Sequence, residues 1–220
     1  IRAWLRSFRA ASSPGDYYQL HRDLLNWFYA CQGFEEECRG REKEIATAIK
    51  AAKAQGGGRD ELKPLSEELE VRKLDRKVAA CVLAVFRDLG DALVWKLFSY
   101  QRPIVEALGQ GEVVGRLSKE GLETELNEIQ WLWEKRGVFA FHADITTCVR
   151  HGDVWAFESL DPLKVYVTES KKSGKFNPDS PQGKRLKRLR ELLNSGAHPE
   201  GAGLLAELQA NGRITNVELS

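Results

Sequence analysis

The chain has 220 residues, 42% hydrophobic and 30% charged, a balance that suits one large or two small globular domains with a real core. Its net charge is only +1, so there is no global basic field, and any contact with nucleic acid must use a local patch. No apolar run approaches the ~18–20 residues that a membrane span needs, and Ile1-Arg2-Ala3-Trp4 does not open a secretory signal.

The four cysteines, Cys31, Cys38, Cys81 and Cys148, form no CxxC and have no histidine at ligand spacing. Free thiols in a reducing cytoplasm are therefore expected. No methionine occurs, even at position 1, so a trimmed or incomplete chain is the expectation.

The first half reads as helical. Tyr17, Leu20, Leu24, Trp27, Phe28 and Cys31 fall at helical spacing and open a pattern over residues 16–54. Gly56-Gly57-Gly58 ends it, and Pro64 helps to open the next element. A second long pattern covers residues 65–89 through Leu69, Val71, Leu74, Val78, Cys81, Val82 and Phe86. Gly90 is expected to interrupt it and Asp91 to cap a further helix through Trp95 and Phe98. Residues 103–108 form a short helical piece, and residues 109–115 a glycine-containing connection.

The second half changes character. Residues 121–135 are amphipathic, with Leu122, Leu126, Ile129 and Trp133 on one stripe. Strand-like runs follow at 138–148, 154–158 and 163–168. A basic helix is expected over 182–194, another helix over 202–210 and a last strand over 214–219. Helices first and strands later predict an α+β fold, with a helical region at 1–115 for dimerisation or substrate positioning and a mixed region at 116–220.

The chemistry-bearing residues cluster in that second region. Asp153 opens one expected strand; Glu169 and Lys171 close the next, two apart and so on one face. If these strands form a hairpin turning at 158–162, all three groups gather at its open end. Two carboxylates suit a hard divalent cation, and a lysine beside them can orient a water.

Gly152-Asp153, a hairpin's length, then Glu169-Ser170-Lys171 resembles the PD-(D/E)xK nuclease superfamily. The resemblance covers residues 117–220. It implies a restriction-endonuclease-like core: a helix, a three-stranded meander, a helix and a final strand. It also implies that Asp153 and Glu169 bind Mg²⁺ or Mn²⁺, that Lys171 serves the water, and that the first helix adds a carboxylate. Glu125 fits that place best, beside the buried stripe, with Glu128 as the fallback. Gln182, Lys184 and Arg185 are the residues it would set near the site. The sequence departs from the family pattern in having Gly152 where proline is usual. The resemblance implies a DNA endonuclease, with defence of a bacterium against foreign DNA as the expected setting and a homodimer that cuts two strands.

Other features carry two readings. Lys184, Arg185, Lys187, Arg188 and Arg190 make either a phosphate-binding face or a solvated helix with Leu186, Leu189 and Leu193 inward. Lys171, Lys172 and Lys175 form a second basic patch. His142, Asp144 and His151 near Asp153 invite a metal or general-base reading; His142 and Asp144 are instead expected to share a strand face and to hydrogen-bond within the sheet, and Asp144 remains the alternative ligand to Asp153. His21 and His198 are expected to be isolated and exposed, and Trp131, Trp133 and Trp155 to be core. There is no P-loop, so a nucleotide-driven motor would have to be a separate partner ATPase. The rival class is a catalytically inactive binding or assembly module that acts through its helices.

Overall fold

The computed structural model describes residues 1–109, 119–149, 153–160, 163–168 and 214–219. The helices are α1 (Arg2–Ala10), α2 (Pro14–Ala54), α3 (Arg59–Leu97), α4 (Arg102–Leu108) and α5 (Lys119–Arg136). The strands are β1 (Phe139–His142), β2 (Val154–Leu160), β3 (Leu163–Thr168) and β4 (Ile214–Leu219). The fold is α+β. No described helix is long and apolar enough to cross a membrane.

The chain divides into two compact units: Ile1–Asp23 with Asp88–Ser220, and Leu24–Arg87. A boundary at 115/116 does not coincide with this division, because both ends of the helical half belong to the unit that holds the sheet. The unit Leu24–Arg87 is a helical hairpin of the middle parts of α2 and α3. Its inner contacts are Trp27 tilted on Phe86, the Cys31 thiol donating to the Ala79 carbonyl at 3.4 Å, and Arg76 paired with Glu42 at 2.7 Å.

Helix α2 begins at a capping box, two residues before the expected start at Asp16. The Ser13 hydroxyl accepts from the Asp16 N–H, the Asp16 carboxylate accepts from the Ser12 and Ser13 N–H groups, and Pro14 takes the first helical position. Helix α3 departs from expectation. It neither waits for Pro64, which lies inside it, nor breaks at Gly90. Gly90 is instead a contact residue: a Cβ there would stand 2.3 Å from the Ile145 carbonyl oxygen, so only glycine lets the helix pass. Asp91 is no helix cap either; its carboxylate accepts the Thr147 and Cys148 N–H groups at 2.6 and 3.0 Å and holds the loop after β1.

The sheet order is β1-β2-β3-β4. The first three strands form an antiparallel meander, and β4 pairs parallel to β3. Parallel neighbours need a long crossover, and residues 169–213 connect them. Side-chain alternation separates two faces. Ala140, Val154 and Ala156 pack with Ile129 of α5, their small size admitting the helix closely. Phe139, Phe141, Trp155 and Phe157 fill the other face with Phe98, which follows α3 directly. The run 138–148 is not one strand: β1 ends at His142, and Ala143–Ile145 is a 3₁₀ turn that carries Asp144. Gly137, at φ +63°, ends α5, with the Gly137 and Val138 N–H groups turned back to the Trp133 and Leu132 carbonyls. Trp155 is fully buried and Trp133 stacks on Tyr18, but Trp131 is 49% exposed and is not core.

Candidate functional site

One end of the sheet brings the candidate residues' strands together. His142 ends β1 and pairs with Val154, which begins β2; Val154 pairs in turn with Thr168, which ends β3. The hairpin expected from Asp153 and Glu169 therefore exists, with its open end at Val154 and Thr168. Asp153 is half-buried just before β2, and its carbonyl accepts the Ala143 N–H at 2.9 Å. Glu169, Lys171, Lys172, Gln182, Lys184, Arg185, Lys187 and Arg188 lie outside the described residues, as do His151 and His198.

Glu125 reaches this end of the sheet from α5, one turn before Ile129. Its carboxylate is bonded to Nε2 of His142, which is fully buried, while the Glu125 side chain keeps 12% of its surface exposed. Nδ1 of His142 accepts the Asp144 N–H at 3.2 Å. An imidazole nitrogen that accepts leaves the proton on the other, so Nε2–H donates to the carboxylate. Glu125 thus has a described partner other than a metal, and that partner is the histidine expected to bond only within the sheet.

His21 corrects its expected exposure. It is 1% exposed, edge-on to Phe139 and Phe141, and its Nε2 accepts the His142 N–H at 2.9 Å. β1 is the outer strand in the described sheet order, and its outward N–H is satisfied by a side chain of α2. Burial, reinforced by the neighbouring His142, pushes the His21 pKa down to about 3. Its Nδ1 is buried without a partner. The sequence does contain the signal: His21 falls four after Tyr17 and seven before Phe28, on the apolar stripe of α2.

The cluster is His21–His142–Glu125, with the Asp144 and Asp153 backbones bonded beside it. Among the described residues, no group of three His, Cys, Asp or Glu side chains is arranged to hold a metal ion. Asp153 remains a hard oxygen donor at the hairpin's open end, chemically suited to Mg²⁺. The four cysteines are free, and burial beside Asp91 raises the Cys148 pKa, so that thiol stays protonated.

No protein-family model, curated protein or solved structure matches the chain.

Proposed function

We propose that the chain is a Mg²⁺-dependent DNA endonuclease with a restriction-endonuclease-like core in its second half. The observation that carries the reading is the β2–β3 register. Val154 stands opposite Thr168, so the chain neighbours of Asp153 and Glu169 are paired across the hairpin. The chain order α5, three-stranded meander and β4 also supports it, the second helix that the resemblance implies falling outside the described residues.

In this reading Asp153 and Glu169 would hold Mg²⁺ or Mn²⁺, which when bound polarises the phosphodiester and offsets charge on the leaving oxygen. Lys171 orients the attacking water. Lys172, Gln182, Lys184, Arg185, Lys187 and Arg188 bind the DNA backbone. Glu125 acts through His142: it ties α5 to the strand end next to Asp153 and serves as a positioning residue.

Plasmid nicking tests this. Wild type should nick with Mg²⁺ or Mn²⁺ and stop with EDTA, and Lys171→Ala and Asp153→Ala should lose roughly 100-fold or more, the scale of losing a positioned catalytic group. Equal, metal-independent background in all three would remove the enzyme reading. It would leave a non-catalytic assembly module, which the exposed apolar side chains of α3 favour.

A further inference from the structure

Helix α1 holds three arginines and no acidic residue. It therefore carries +3 in a chain whose net charge is +1, and the rest of the chain sums to −2. Arg2, Arg6 and Arg9 are four and then three residues apart, which sets them on one stripe of the helix, and all three are exposed. The opposite stripe is Trp4, Phe8 and Ala11, at the same spacing. Trp4 and Ala11 are buried and Phe8 is half-buried.

The inner stripe is fixed in place. The Trp4 indole N–H donates to the Leu20 carbonyl at 3.0 Å, and the Trp4 and Phe8 rings stack with centroids 5.4 Å apart. The Lys96 ammonium lies 5.0 Å from the Phe8 ring and donates to the Phe8 and Arg9 carbonyls, closing the last turn of α1. These contacts leave the arginines facing outward. They also anchor α1, through α2, to the sheet end that carries Asp153: the residue after Leu20 is His21, whose ring accepts the His142 N–H.

The arginines of α1 differ from cations elsewhere on the surface. In α2 and α3, Arg39, Arg41, Arg72, Lys73 and Arg76 each pair with a carboxylate. Among the described residues Arg2, Arg6 and Arg9 make no ion pair.

We propose that the Arg2–Arg6–Arg9 stripe binds the phosphate backbone of DNA. It is the local basic patch that a nearly neutral chain needs for such a partner. The stripe places three guanidinium groups along about 10 Å of helix. One strand of B-DNA carries a phosphate per about 3.4 Å of axis, so about three phosphates fall in that length. Each guanidinium fork can hold two phosphate oxygens. Such contacts position DNA and read no sequence. A lipid surface fits less well, because an amphipathic helix binds it by sinking its apolar face, and here Trp4 and Phe8 are already packed. The inference rests on the DNA-binding part of the proposed function and not on its cleavage chemistry.

Fluorescence anisotropy of a short labelled DNA duplex tests it, with the full chain in EDTA over about 50–200 mM salt. Wild type should bind. The Arg2→Gln/Arg6→Gln/Arg9→Gln variant should lower the slope of log K against log salt by about 2.7, about 0.9 per phosphate contact, and weaken binding about tenfold or more. Lysine at the same three positions should keep the slope. Lys43→Gln/Lys50→Gln/Lys53→Gln removes the same charge from exposed positions of α2 and should leave the slope unchanged. Both glutamine variants alter exposed side chains only, so circular dichroism and thermal melts should match wild type. Wild type that does not bind the duplex, a slope unchanged by the α1 variant, or equal losses from the two glutamine variants overturns the proposal. So does an α1 variant that loses binding to phosphatidylserine vesicles while keeping its hold on DNA. Binding through α1 without nicking removes the nuclease reading alone; nicking with a slope indifferent to α1 removes this inference alone.

Discussion

Acidification should loosen the attachment of α2 to the sheet, and His21 sets the pH at which it does so. His21 Nε2 accepts the His142 N–H in a pocket walled by Phe139 and Phe141. Protonating Nε2 removes the acceptor and places a charge in apolar surroundings. The folded pKa is about 3, against 6.5 for a solvent-exposed imidazole, with burial the first cause and His142 the second. The unfolded chain therefore takes up the proton first as the pH falls. Stability from this group is complete above pH 6.5 and is lost between 6.5 and about 3. The slope is about 1.4 kcal/mol per pH unit, so about 2 kcal/mol goes by roughly pH 5. That is a large share of the ~5–15 kcal/mol by which domains are stable. Urea unfolding of wild type and His21→Gln at about pH 7.5 and about pH 5 measures it. Glutamine can accept the same N–H and does not titrate. Wild type should lose about 2 kcal/mol more than the variant over that interval, a difference in which the groups common to both cancel. Parallel losses would refute the reasoning.

Gly90→Ala should destabilise by about 1–3 kcal/mol, because its Cβ meets the Ile145 carbonyl oxygen, whereas Gly40→Ala in α2, with open space around it, should stabilise by about 0.5–1 kcal/mol; thermal unfolding of the pair checks both. Asp91→Ala should cost about 1–3 kcal/mol, since the Thr147 and Cys148 N–H groups lose their acceptor, and denaturant melts read it. Glu125→Gln should keep near-wild-type stability, because the amide oxygen still accepts from His142 Nε2, while Glu125→Ala should lose about 1–3 kcal/mol. In the nicking assay the same contrast separates positioning from ligation. Glu125→Gln should retain activity if the residue acts through His142, and lose it as Asp153→Ala does if the carboxylate binds metal.

Local pattern was enough for most elements. The apolar stripes of α2 and α5, the alternation in β3 and the Asp153-to-Glu169 spacing specify helices, strands and a hairpin, because each depends on neighbours a few residues away. Three things came only from packing across the chain. Gly90 reads as a helix breaker until the Ile145 carbonyl, distant in sequence, makes glycine the residue that fits. His21 falls on the apolar stripe of α2, but the partner that makes use of it, the outer N–H of β1, is supplied only by the fold. Glu125 is expected as a carboxylate of the metal site, and its bond to His142, which ends β1, comes only from the packing of α5 on the sheet. The sequence by itself thus determined the elements and the candidate acidic pair. Tertiary structure alone decided which polar groups are already satisfied, because a hydrogen-bond partner more than a hundred residues away leaves no trace in local spacing.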